Sequence, residues 1–102
     1  MDIQVSSNFE RLLFESLGRD APALKRLMDG LQQSGAFTVP PLALAVIREA
    51  FAAGRASEAE TSATIARTYK DAGYLLDPHS AVGVSVAEKL ELHGVVMAAF
   101  VL

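Results

Sequence analysis

The chain has 102 residues, 51% of them hydrophobic, which allows one small domain with a compact core. Its net charge is −3 and its basic residues are scattered singly, which excludes the basic stripe of a nucleic-acid-binding protein. It contains no cysteine, and His79 and His93 lie far apart, so the sequence has neither a disulfide framework nor a metal-ligand spacing.

Two helices are predicted at the start of the chain, each between a polar cap and a glycine. Ser7 or Asn8 can cap the first helix, because a short polar side chain accepts a hydrogen bond from the free N–H groups of the first turn. Gly18 can end this helix in the left-handed conformation. Asp20 is predicted to cap the second helix, and Gly35 is predicted to end it.

A third helix follows a short apolar stretch. Residues 36–39 are apolar and partly β-branched, which predicts a brief extended segment. The third helix is predicted from the two prolines 40–41 to a stop at Gly54. Apolar residues cover most of its surface, and Arg48 and Glu49 mark the side that faces water.

The fourth helix has the clearest start. Ser57 and Glu60 have the spacing of a capping box, in which the two side chains satisfy two free N–H groups reciprocally. Gly73 is predicted to end this helix.

A fifth helix is predicted from Asp77, its cap, to Gly94, with Pro78 at its first position. Its apolar row is Val82, Val86 and Leu90. Residues 95–102 are apolar and rich in β-branched residues, which predicts a buried strand.

The expected fold is therefore mainly α, with about five helices in a helical part 7–93 and one or two short strands, the last over 95–102. The chain is expected to form one segment, 1–102. An unpaired strand edge is a liability that proteins usually cover. This indicates a segment cut from a larger protein that contains a sheet, or self-association through 95–102.

The N-terminus has no basic segment followed by an apolar run, so no signal peptide is predicted. The apolar end of the chain is too short to span a bilayer. We therefore expect a cytoplasmic protein that does not bind membranes.

Two polar clusters stand at predicted helix starts. Asp77, His79 and Ser80 place a carboxylate, an imidazole and a hydroxyl where free N–H donors suit an anionic group. The simpler interpretation is that Asp77 only caps the helix and His79 faces water. The second cluster is Ser6, Ser7 and Asn8, for which capping is also the simpler interpretation.

The three lysines do not indicate a Schiff-base site. Lys25, Lys70 and Lys89 are flanked by charged or polar residues typical of an exposed helix. A Schiff-base lysine needs a buried, activating pocket. No catalytic residue is therefore assigned to this chain, and no metal site either.

Two segments carry a specific resemblance to a known family. Residues 1–14 read MDIQVSSNFERLLF and resemble the internal segment MDIxVSSNFERLLF of bacterial threonine synthases. Residues 73–84 read GYLLDPHSAVGV and are similar to the family segment GYLLDPHTAVGV, with Ser80 in place of the commoner threonine. The spacing between the two segments is also similar, so the resemblance covers nearly the whole chain.

The resemblance implies a C-terminal segment of a pyridoxal-phosphate enzyme with the α/β fold of the tryptophan synthase β type. Such enzymes convert O-phospho-L-homoserine and water to L-threonine and phosphate. The cofactor lysine and the phosphate-binding loop of the family have no counterpart in this chain, so the isolated segment is expected to be inactive and to hold no covalent cofactor. The resemblance also implies that Asp77, His79 and Ser80 bind the cofactor or line the active site, and that Ser6, Ser7 and Asn8 border the same cleft.

An alternative function belongs to another class. An independent helical interaction domain, without catalysis, would use the apolar third helix and the last strand to dock a partner. The size of the intact protein in its source cells distinguishes the two hypotheses.

Overall fold

The computed structural model describes residues 5–91, and these form five α-helices. The helices are α1 (Ser7–Ser16), α2 (Ala21–Ser34), α3 (Pro41–Ala50), α4 (Glu58–Ala72) and α5 (Pro78–Lys89). They group into two compact units, of which the first ends at Ala52 and the second begins at Ala53. The prediction of a mainly α fold is confirmed.

The predicted strands are not found in the described part of the chain, so this part of the fold prediction is wrong. Residues 36–39 are irregular and have no ladder hydrogen bonds. They lie between the left-handed cap at Gly35 and the start of α3. Phe37 instead packs its ring 6.5 Å from that of Phe9. The strand predicted over 95–102, and the self-association assigned to it, lie outside the described residues.

Most predicted helix boundaries are confirmed by the geometry of the caps. Asp20 accepts a hydrogen bond from the N–H of Ala23 at 3.0 Å, and the capping box of Ser57 and Glu60 is complete. Gly35 and Gly73 end their helices with φ of 74° and 68°, where a side chain would be strained.

Three boundaries differ from the prediction. The cap of α1 is Ser6, one residue before the predicted Ser7, and it accepts from the N–H of Phe9. Helix α3 ends at Ala50, followed by the extended cap residue Phe51, and does not continue to Gly54. Helix α5 ends at Lys89, with Leu90 as its cap, before the predicted Gly94, which is not among the described residues.

In the first unit, α1 packs against both α2 and α3. Leu13 of α1 is fully buried, and Ala43 of α3 is 3% exposed. Burying a leucine side chain stabilises a fold by about 1.5–3 kcal/mol, so Leu13 is the main anchor of this unit.

In the second unit, α4 and α5 run antiparallel and meet along small side chains. Ala81 and Ser85 of α5 and Thr64 of α4 are buried, and the hydroxyl of Thr64 donates to the carbonyl of Glu60 at 2.8 Å. The predicted apolar row of α5 is only half-buried, and Leu90 at its end is 39% exposed. Small residues form the contact because they allow two helix backbones to approach closely.

Candidate functional site

The start of α5 lies in the second unit, and a single carboxylate organises it. Asp77 is the residue before the helix, with extended backbone, and Pro78 occupies the first position. One oxygen of Asp77 accepts hydrogen bonds from the N–H groups of His79 and Ser80, at 2.9 and 3.1 Å. The N–H groups of His79 and Ser80, which could have bound an external anion, therefore donate to Asp77 instead.

The hydrogen bonds also fix the charge of Asp77. The hydroxyl and the N–H of Ser80 hold the pKa of Asp77 below its usual value, and the N–H of His79 contributes in the same direction. Hydrogen bonds to a carboxylate favour its ionised form. Asp77 is therefore a carboxylate at neutral pH, and its side chain is 41% exposed.

The imidazole of His79 lies beside this carboxylate without a hydrogen bond to it, although the backbone N–H of the same residue donates to Asp77. Its Nδ1 atom is 3.7 Å from the Asp77 oxygen, which is longer than a hydrogen bond, and its side chain is 56% exposed. Asp77 therefore does not hold the imidazole in one orientation as a catalytic triad would. Together with half-buried Ser80, the three predicted residues form one polar edge that can contact whatever approaches this helix start.

The second predicted cluster lies in the first unit. Ser6 caps α1, while Ser7 lines an open cavity with Arg11 and Phe14 of the same helix. Asn8 is exposed on the first turn. The structure confirms the capping role for this cluster, at Ser6, and the prediction that these residues border a cleft stays a prediction.

The lysines are all on the surface, as the sequence indicated. Lys25 pairs with Asp29, and Lys89 pairs with Glu60 while donating to the carbonyl of Arg55 at 2.9 Å. Lys70 is exposed in the last turn of α4.

Sequence reasoning missed the ion pairs that close the second unit. The ammonium of Lys89 lies 2.6 Å from one oxygen of Glu60, and the other oxygen accepts the N–H of Ser57 at 2.7 Å. Arg67 pairs with Glu88 between the same two helices. The capping-box spacing identifies Glu60, but no local signal identifies partners so far along the chain.

Among residues 5–91 no cluster of three or more potential metal-ligating side chains occurs. In the same part of the chain, none of the helices has the length and apolar character needed to cross a membrane.

Comparison with known proteins gives consistent results. The chain is 44% identical over 89 residues to threonine synthase of Pseudomonas aeruginosa, and 40% identical over 92 residues to that of Corynebacterium glutamicum. In each case the match covers 87% of this chain and 19% of the relative, so the chain spans about a fifth of the length of these relatives. No protein-family model matches the chain.

A solved structure is similar in sequence and in fold. The crystal structure of PLP-bound threonine synthase from Brucella melitensis is 60% identical and matches with a TM-score of 0.73. The match covers 87% of this chain and 19% of that one. The arrangement of this chain is therefore closely similar to that of a segment in a much larger protein.

Proposed function

We propose that this chain, which belongs to the threonine synthase family, is a helical segment of an enzyme that converts O-phospho-L-homoserine and water to L-threonine and phosphate. The observation that carries the proposal is the similarity to threonine synthases along 87% of the chain, at 60% identity for the Brucella melitensis structure. The same similarity favours an enzyme segment over an independent interaction domain. A cytoplasmic location is part of the proposal.

Pyridoxal phosphate would supply the electron sink of the reaction in the whole enzyme. The described residues do not form a site for it by themselves. A lysine that binds this cofactor needs a desolvated or otherwise activating pocket. Lys25, Lys70 and Lys89 are instead exposed or paired with carboxylates on the surface. The lysine that binds the cofactor is therefore expected in the rest of the enzyme, and no chemical step is assigned to this segment.

Within that enzyme, we assign the polar edge of Asp77, His79 and Ser80 to the border of the active site. The support is that three different polar groups converge at one helix start, with Asp77 held ionised. Polar groups with shifted pKa values cluster at functional sites. Asp77 would orient the start of α5, and the imidazole and the hydroxyl would contact bound groups.

The proposed activity can be tested with a graft. The matching segment of the Brucella melitensis threonine synthase is replaced by this chain, and phosphate release from O-phospho-L-homoserine is measured. We expect the graft to be active and the isolated 102-residue chain to be inactive. A folded graft without activity, or turnover by the isolated chain, would contradict the proposal.

The role of the polar edge needs a control for capping. Asn caps helices about as well as Asp, so Asp77→Asn should leave the stability of the graft nearly unchanged. Asp20→Asn makes the same change at the cap of α2, whose carboxylate also accepts a backbone N–H. We expect Asp77→Asn to lower turnover and Asp20→Asn to leave it intact. Equal turnover in the two variants would reduce Asp77 to a cap.

A further inference from the structure

Helix α3 has two apolar faces, and only one of them is covered within its own unit. Successive residues of a helix are rotated by about 100°, so residues 42, 45, 46 and 49 share one face. Leu42 is 85% exposed and Val46 is 52% exposed, and Ala45 between them is also exposed. The opposite face carries buried Ala43 and half-buried Leu44 and Ile47.

Two apolar faces are unusual for a helix that packs only against other parts of this chain. A surface helix normally shows an apolar stripe toward the core and polar residues on the other side. The outer face of α3, defined as Leu42, Ala45, Val46 and Glu49, is apolar except for its last member. Glu49 forms no ion pair with any residue of the described part of the chain.

We infer that the outer face of α3 is the surface on which this segment docks against the rest of the enzyme; the inference rests on the proposed function. The relatives are about five times longer than the matched segment, so most of their chain is available to cover this face. A segment with closely similar structure occurs inside one such longer chain, which indicates that α3 keeps its form there.

The face also specifies the chemistry of its partner. The stripe formed by Leu42, Ala45 and Val46 requires an apolar surface, because exposing contiguous apolar residues to water is unfavourable. Glu49 at the end of the stripe requires a basic side chain or another hydrogen-bond donor opposite it. The predicted occupant is therefore an apolar element of the remaining enzyme with a basic group at one edge.

Leu42→Asp tests this assignment because it separates docking from folding. Position 42 is the second residue of α3, where a carboxylate is favoured by the helix dipole. In the isolated chain the substitution should therefore leave the urea midpoint of unfolding unchanged. In the graft, the carboxylate would be buried against an apolar surface, and we expect the Tm to fall by roughly 4 °C or more.

Ala59→Asp is the matched control, because it places the same charge at the exposed second residue of another helix, α4. We expect it to change the Tm of the graft by no more than about 1 °C. Equal Tm values for the two variants in an active graft would overturn the docking assignment and leave the proposed function standing. An inactive graft that still loses Tm only with Leu42→Asp would refute the function and support the interface.

Sedimentation of the isolated chain tests whether a second copy of the chain covers the outer face of α3 instead. We expect a monomer with and without the substitution. A dimer that Leu42→Asp converts to a monomer would overturn the assignment to the rest of the enzyme.

Discussion

Gly54→Ala is expected to destabilise the second unit through one clash. A methyl group at Gly54 would lie 2.8 and 3.3 Å from the two γ carbons of Val86 on α5. Carbon atoms attract best at about 3.5–4.0 Å, so both contacts are repulsive. Val86 cannot easily rotate away, since a β-branched side chain in a helix has one strongly preferred rotamer.

The size of the effect follows from two opposing terms. Overpacking costs about 1–3 kcal/mol. Gly54 does not have positive φ, so alanine fits its backbone and restricts the unfolded chain, which stabilises the fold by about 0.4–1 kcal/mol. The net loss in free energy of unfolding is expected to be about 1–2 kcal/mol.

The assay is urea unfolding of the isolated chain, followed by far-ultraviolet circular dichroism, with two companion variants. In the Val86→Ala background both γ carbons are absent, so Gly54→Ala should become neutral or stabilising. Gly83→Ala in the middle of α5 is the control, because nothing lies within 4 Å of the added methyl group, and it should stabilise the fold by about 0.5–1 kcal/mol. A Gly54→Ala chain as stable as the native one, or a loss that persists with Val86→Ala, would refute the reasoning.

Three further predictions concern stability. Leu13→Ala should lower the free energy of unfolding by about 2–5 kcal/mol, whereas Leu42→Ala should change it by less than about 0.5 kcal/mol, because Leu42 is 85% exposed. Ser57→Ala should lower it by about 0.5–2 kcal/mol in the same assay, through loss of a cap; no change would show that Ser57 does not cap α4. The hydrogen bond from Lys89, with those from Ser57, lowers the pKa of Glu60 from 4.5 to about 2. This stabilisation is present above pH 4.5 and is lost as the pH falls toward 2. The free energy of unfolding of the Glu60→Gln variant, measured over the same pH range, should lack that loss. A pH profile identical to that of the native chain would contradict the assignment.

The helix boundaries could be predicted because they depend on local chemistry. Asp20, Ser57 and Asp77 each satisfy N–H groups two or three residues ahead, and Gly35 and Gly73 adopt a conformation that other residues avoid. All of these interactions lie within a few positions in the sequence. The same holds for the polar edge at α5, whose three members are neighbours in the chain.

The parts that could not be predicted depend on contacts between distant residues. The sequence predicts a helix stop at Gly54, but what limits this position is Val86 on α5, which a methyl group added there would meet. The periodicity of α5 favoured Val82, Val86 and Leu90 as its core row, although Ala81 and Ser85 are the buried residues. Hydrophobicity alone cannot show that two helices approach so closely that only small side chains fit between them.

The strand prediction shows a different limit. Residues 36–39 have a composition suited to a strand, but a strand forms only with a partner that supplies its hydrogen bonds. Among residues 5–91 no such partner exists, and the segment is used to place Phe37 against Phe9.

The two carboxylate oxygens of Glu60 contact one residue that is near in the sequence and one that is distant. One completes the first turn of α4, and the other holds Lys89 in the last turn of α5. The first turn of one helix and the last turn of the other are therefore expected to open together. In native-state hydrogen exchange, amide protons at the two sites would show a single opening free energy, where separate helix ends would fray independently.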